Sequence, residues 1–179
     1  MKATGIVRRI DDLGRVVIPK EIRRTMRIRE GDPLEIYTTR EGEVIFKKYS
    51  LLGGLEDFAA QFCDALNRTS VFTAAVTDRD AVIAITGAGK RELLGKSLSE
   101  ALSRVMEERR IYCCQGADQP LPVTDGNDRY TAAVAAPILC EGDVLGLVLF
   151  LSAEGQVPGE GEYKLAQTVS AFLGRHMES

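Results

Sequence analysis

This sequence of 179 residues lacks long apolar runs and paired cysteines. No run of 18 or more apolar residues occurs, so we expect no membrane span. The N-terminus has no apolar core typical of a signal peptide, which predicts a cytoplasmic protein. The four cysteines show no C-x-x-C spacing, and we interpret them as free thiols in a reducing compartment: Cys63, Cys113, Cys114 and Cys140.

A pattern that would carry catalysis is also missing. No histidine stands near a cysteine or serine at the spacing of a catalytic triad, and no cluster of metal-ligating residues occurs. The stretch TGAGKRELLG at residues 86–95 has two glycines before a lysine, but it departs from the spacing of a phosphate-binding loop. We therefore expect a protein that is not an enzyme and that has neither a metal nor a cofactor.

Charge is strongly separated along the chain. Nine Lys and Arg against three acidic residues give the first 29 residues a net charge of +6. The whole chain carries −3, so the remaining residues carry −9. We call the basic N-terminal part of the chain, about 48 residues long, the head, and the acidic remainder the body. A head rich in cations favours a polyanionic binding partner.

Short strands, a turn and a short helix are predicted for this head. Residues 6–10 (IVRRI) and 15–18 (RVVI) are rich in β-branched side chains and are separated by a turn, DDLG. Pro19 suits the start of a helix. Residues 33–39 and 43–49 predict a β-hairpin. A head of about 48 residues without cysteine or metal ligands cannot build a sufficient core alone, so we expect it to dimerise.

The ordered motif of the head is specific. The run GIVRRID at residues 5–11, followed by LGRVVIPKEIR at residues 13–23, resembles the DNA-binding domain of AbrB-type transition-state regulators. The resemblance implies a swapped-hairpin dimer with a β-barrel-like core, and contact between its basic residues and double-stranded DNA. The arginines at matching positions are Arg8, Arg15, Arg23 and Arg24, and further candidates are Lys2, Arg9, Lys20 and Arg27.

Two features refine this expectation. Antitoxins share the swapped-hairpin fold, but a short disordered tail usually follows theirs, whereas about 130 structured-looking residues follow here. The first 60 residues contain no Asn or Gln, side chains suited to paired readout of bases. We therefore expect DNA shape and flexibility to supply much of the selectivity.

The order of predicted elements in the body indicates an α+β domain. We expect a DNA-binding and dimerisation domain at residues 1–50, a linker at 51–55 containing two glycines, and a second domain at 56–179. The order helix, hairpin, helix, strand, two long strands and helix predicts an antiparallel sheet with flanking helices. Residues 115–129 are predicted as a polar loop.

The body also resembles a GAF domain. The segments Ala-Pro-Ile at residues 136–138 and GDVLGL at residues 142–147 are similar to its strand–turn–strand core. The resemblance implies a sensory or assembly role, with either an unidentified ligand under a cap at residues 86–130 or no ligand. Taken together, the two halves resemble the stage V sporulation protein T family, which implies a transcription activator and/or repressor acting in sporulation.

The first and last helices of the body carry surplus apolar surface. We expect these two helices to form a bundle between chains that pairs two dimers into a tetramer. The alternative is that the apolar side of each helix covers only the core of its own chain. The competing function is a ligand-sensing interaction module whose N-terminal domain only dimerises, and the charge of +6 favours DNA instead. The predicted oligomerisation residues are Leu55, Phe58, Phe62, Leu66, Leu165, Val169, Phe172 and Leu173.

Overall fold

The computed structural model describes residues 4–49, 52 and 55–177. The chain divides into two compact units, residues 1–49 and residues 50–179. Within the described ranges, no helix has both the length and the apolar character needed to cross a membrane.

The N-terminal unit contains one short helix and one hairpin. Helix α1 is Lys20–Thr25, and the antiparallel strands β1 and β2 are Leu34–Thr38 and Val44–Lys48. Gly42 closes the hairpin turn with φ of +86°, a left-handed conformation that glycine adopts without strain. The predicted hairpin is confirmed.

The predicted strands at residues 6–10 and 15–18 are not strands in this chain. The turn between them is formed, since the Gly14 amide donates to the Asp11 carbonyl at 3.0 Å and the Asp11 amide donates to the Arg15 carbonyl at 3.1 Å. A strand requires a hydrogen-bonded neighbour. Within the described part of the chain, the two segments have no ladder beyond their shared turn, and this is why the prediction from β-branched residues was wrong for a single chain.

The described residues of the N-terminal unit form no core of their own. None of residues 4–49 is buried. Val7 is 85% exposed and Ile36 is 61% exposed, although both are apolar. Such exposure is unusual for apolar residues grouped within one small unit. The large apolar residues left exposed are Ile6, Val7, Ile10, Leu13, Val16, Val17, Met26, Ile36, Tyr37, Val44, Phe46 and Tyr49.

The C-terminal unit is built on one antiparallel sheet of six strands. The strand order is β4-β3-β8-β7-β5, and β6 also pairs with β7. This arrangement confirms the α+β class predicted from the sequence. Its elements are α2 Glu56–Thr69, β3 Thr73–Thr77, β4 Val82–Thr86, α3 Lys90–Leu93, α4 Glu100–Glu108, β5 Tyr112–Cys113, β6 Leu121–Thr124, β7 Asn127–Cys140, β8 Asp143–Ser152 and α5 Glu160–His176.

Strand β6 was missed by the sequence reasoning. It lies inside the predicted loop 115–129 and pairs with β7, with Leu121 opposite Ala132. Proline is tolerated at the edge of a sheet, which explains why Pro122 can take part opposite Thr131.

The two faces of the sheet bury two separate apolar clusters. Helices α2 and α5 cover one face, where Val148 and Phe150 of β8 are fully buried. Helices α3 and α4 supply the apolar cover of the other cluster, to which Leu147 and Leu149 belong. Alternation along β8 thus assigns successive residues to opposite cores.

Candidate nucleic-acid interface

The turn at residues 11–15 holds one predicted DNA-binding arginine in place. The carboxylate of Asp11 accepts from the amides of Leu13 at 3.0 Å and Arg15 at 2.7 Å, and from the Arg15 Nε at 2.8 Å. The backbone amide of Arg15, followed by its guanidinium, lowers the pKa of Asp11 below its usual value. The Arg15 side chain stays 70% exposed, so it projects from an ordered turn.

Helix α1 presents three basic residues together. Lys20, Arg23 and Arg24 are exposed, and their spacing of three and four residues places them on one face of the helix. Glu21 in the first turn and the arginines in the last turn both suit the helix dipole. The face is therefore cationic and accessible.

The end of α1 is tied to the hairpin. Arg27 has φ of +52°, a left-handed conformation that ends the helix. Its carbonyl accepts from the Lys48 Nζ at 2.9 Å, and the same ammonium lies 3.4 Å from the Asp32 carboxylate. The Ile28 amide closes the helix on the Arg23 carbonyl at 2.7 Å. These bonds fix the orientation of α1 relative to β2.

The remaining candidates belong to other elements. Arg8 and Arg9 are exposed on the extended segment before the turn, and the Arg8 Nη1 donates to the Val7 carbonyl at 3.4 Å. Lys2 lies outside the described residues. The structure thus groups Lys20, Arg23 and Arg24 on α1.

One basic residue of the hairpin was overlooked. The Lys47 Nζ lies 4.6 Å from the centre of the Tyr37 ring, a cation–π contact. Lys47 is directly opposite Glu35, which makes Tyr37 its diagonal neighbour across the hairpin. The hairpin was predicted from the sequence without a register, and only the observed pairing of Glu35 with Lys47 brings Lys47 to Tyr37.

A second exposed feature lies on the helices of the C-terminal unit. Phe58 contacts the Phe62 ring edge-on at 5.1 Å and stacks on His176 at 5.0 Å between ring centroids. Phe172 lies 5.5 Å from Phe62 and 6.1 Å from His176. Phe172 is 50% exposed. We call these four residues the aromatic cluster; it joins α2 to α5 at the surface.

Three of the predicted oligomerisation residues are used by the chain's own core. Leu66, Val169 and Leu173 are 4%, 7% and 1% exposed, so they cannot also cover a second chain. The sequence period identified the apolar faces but could not say which neighbour covers each residue. Four others are half-buried against the same core, namely Leu55, Phe58, Phe62 and Leu165, and Phe172 is exposed.

Two family models match the chain, one in each unit. Residues 54–178 match the family model described as "Stage V sporulation protein T C-terminal, transcription factor". Residues 7–50 match the model described as "Antidote-toxin recognition MazE, bacterial antitoxin", which covers a minor part of the chain.

Two curated relatives come from Bacillus subtilis (strain 168). The chain is 49% identical over 178 residues to stage V sporulation protein T, which covers 99% of both chains. It is 63% identical over 49 residues to the transition state regulatory protein AbrB, covering 27% of this chain and 50% of AbrB.

Among solved structures, the chain is similar to the GAF domain from Acinetobacter phosphoenolpyruvate-protein phosphotransferase. That match has 17% identity, covers 73% of this chain and 84% of that domain, and has a TM-score of 0.51, so it shows the fold alone.

The fold and these matches define a two-domain transcription factor in which an AbrB-like unit precedes a GAF-type unit. The chain belongs to the stage V sporulation protein T family of sporulation transcription regulators. The resemblance inferred from the residues is therefore confirmed over the whole chain.

Proposed function

We propose that this chain regulates transcription by binding double-stranded DNA through its N-terminal unit, as activator and/or repressor during sporulation, and that it works in the cytoplasm without catalysing a reaction. The basic face of α1 is the observation that supports DNA binding most strongly. The N-terminal unit has twelve Lys and Arg against eight acids, a net charge of +4, whereas residues 50–179 carry −7. Phosphates attract such a surface regardless of sequence.

The proposed contacts follow the exposed basic residues. Lys20, Arg23 and Arg24 would lie along phosphates on one face of α1, and Arg15 would reach the backbone from its ordered turn. We assign the same kind of contact to Arg8, Arg9, Arg27 and Lys2. The identity of 63% to AbrB over this unit supports that assignment.

A second chain would complete the N-terminal unit. Twelve large apolar side chains are exposed in a unit that buries none of its described residues, and within residues 4–49 the segments 6–10 and 15–18 have no partner strands. Covering these side chains and pairing these segments with another copy would supply both a core and a ladder. We therefore propose a swapped-hairpin dimer that presents two copies of the basic face to one duplex.

DNA binding across a salt series tests this function. The full-length Arg8→Ala/Arg23→Ala variant removes two of the proposed contacts, and Arg68→Ala/Arg91→Ala removes two exposed charges of the C-terminal unit as a matched control. The first variant should bind more weakly, with a salt slope reduced by roughly one unit for each phosphate that its side chains no longer reach. The control should keep the wild-type slope.

The same measurement separates the two candidate functions. Tight binding that depends steeply on salt and prefers some promoter fragments over random duplex supports a DNA regulator. Equal, weak binding by all three proteins would instead favour a ligand-sensing interaction module whose N-terminal unit only dimerises.

The aromatic cluster supports pairing of two such dimers. We propose that α2 and α5 pack against the same helices of another chain, with Phe172 at the contact because it is large, apolar and half exposed. Phe172→Ala should convert a tetramer into dimers at micromolar concentration in light scattering. Thr168→Ala, also exposed on α5, should leave the tetramer intact. A wild-type protein that is already a dimer would contradict the proposal.

The cap at residues 86–130 has two alternatives, a bound ligand or an empty scaffold used for assembly. Leu93, Leu98 and Leu102 from this region pack into the sheet cluster, and we assign no ligand chemistry to the space beneath them. A metabolite that raises the unfolding temperature of the full-length protein would exclude the empty scaffold.

A further inference from the structure

A groove of about 490 Å³ lies beside α5, next to the last residues of β7 and the segment that joins α4 to β5. Arg109 and Arg175 line it from two different elements. Ile111, Pro137 and Leu139 supply apolar surface between them. We call it the arginine groove.

The two arginines have no acidic partner among the described residues. In the part of the chain that the structure describes, neither guanidinium forms an ion pair or a side-chain hydrogen bond. Arg109 follows α4 in a left-handed conformation, with φ of +54° and ψ of +30°, and only its backbone amide is bonded, to the Met106 carbonyl. Arg175 lies in the last turn of α5. Both side chains are exposed and free to meet a ligand.

The charge of the groove opposes that of its surroundings. Residues 50–179 contain eleven Lys and Arg against eighteen Asp and Glu. Elsewhere in the unit, Arg104 pairs with Glu100 and Arg129 pairs with Glu92, each at 2.9 Å. Among the described residues, no carboxylate lines the arginine groove. It is thus a local cationic site on an acidic unit.

The lining also fits a ligand with an apolar part. Leu139 is 42% exposed although it is apolar, while Pro137 is buried beneath the groove. Gln167 adds one exposed amide on α5. Sites for small molecules commonly have volumes of roughly 300–1,000 Å³, with a mainly apolar lining and a few polar groups that set the orientation.

We propose that the arginine groove binds a small organic anion, with its carboxylate or phosphate head at Arg109 and Arg175 and its apolar body along Ile111 and Leu139. Guanidinium groups suit such heads because their planar donors bond two oxygens at once. The site lies beside α5, and its residues other than Arg109 and Ile111 are outside the cap at residues 86–130. It adds to the proposed function and does not depend on it.

Octanoate is the first probe, titrated into the full-length protein by calorimetry at neutral pH. Octanol has a similar chain without the charge, and acetate has the head without the chain. We expect octanoate to bind at least tenfold more tightly than either. If octanol binds as tightly as octanoate, the arginines contribute nothing to affinity. If acetate binds as tightly as octanoate, the apolar surface of the groove contributes nothing. Either result would overturn the proposal.

Variants locate the binding. Arg109→Asn removes the cation with a residue that tolerates the left-handed conformation, and Arg175→Gln removes the second one. The double variant should bind octanoate at least tenfold more weakly, whereas Arg110→Gln, a neighbouring exposed arginine outside the lining, should bind as the wild type does. Unchanged binding by the double variant, or no binding by the wild type, would refute the site.

Two further measurements complete the test. Gln167→Glu, nearly isosteric and exposed on α5, adds a carboxylate that competes for the arginines and should weaken octanoate binding even if the double variant folds poorly. Octyl phosphate in place of octanoate distinguishes the two heads. The ligand that binds more tightly, octanoate or octyl phosphate, shows whether the site prefers a carboxylate or a phosphate. If Gln167→Glu weakens the binding of neither ligand, the proposal is contradicted.

Discussion

Gly174 offers the sharpest test of how α5 is placed on the sheet. A Cβ at this position would lie 2.0 Å from the Leu139 carbonyl oxygen and 3.0 Å from its carbon, and these are backbone atoms of a central strand. Gly174→Ala must therefore push α5 away from β7 by about 1 Å, which loosens the packing of buried Val169 and Leu173. Overpacking costs about 1–3 kcal/mol, and backbone contact favours the upper end.

The helix propensity of alanine acts in the opposite direction. It offsets about 1 kcal/mol, which leaves a net destabilisation of about 2 kcal/mol and a fall of roughly 5–10 °C in the unfolding midpoint of the C-terminal unit. The assay is thermal unfolding followed by circular dichroism. Gly161→Ala on the same helix is the control, because no atom lies within 4 Å of its added Cβ, and it should leave the midpoint unchanged or slightly raised. A Gly174→Ala protein as stable as this control would refute the close approach.

Two other predictions follow from hydrogen bonds. Ser99→Ala should lower the free energy of unfolding, measured in urea, by about 1–3 kcal/mol. The Ser99 hydroxyl caps α4 by accepting from the Leu102 amide at 3.2 Å, and it donates to the Pro122 carbonyl at 2.6 Å. An unchanged urea midpoint would contradict this prediction. NMR titration should give Asp11 a pKa below its usual value, so its contribution to stability is present above the ordinary carboxyl pKa and is lost as pH falls through the lowered one. Arg15→Gln should raise that pKa only partly, because the Arg15 backbone amide is the larger cause; a complete return to the usual value would contradict the assigned order of causes.

The sequence predicted the elements whose pattern is strong and local. Strands β7 and β8 are long and continuous, α2 and α5 have apolar residues at helical spacing, and a glycine turn closes β1–β2. These signals depend on neighbours along the chain, so they do not require knowledge of the tertiary structure.

The rest depends on contacts between distant residues. Strand β6 is short and contains Pro122, so only its pairing with β7 reveals it. Whether Leu173 meets its own sheet or another chain is decided by the position of α5, which the helical period does not contain. Arg109 and Arg175 are 66 positions apart in sequence, and only the fold brings them to one groove.

We infer that a second chain completes the N-terminal unit and thereby builds the DNA-binding surface. Hydrogen exchange of the full-length protein, followed by mass spectrometry, tests it directly at residues 6–10 and 15–18. In the described part of one chain these segments have no ladder beyond their shared turn, so in a monomer their amides should exchange fast. We predict slow exchange, comparable to that of β1 and β2, because strands of the partner protect them. Exchange as fast as in an unstructured peptide would contradict the swapped-hairpin dimer.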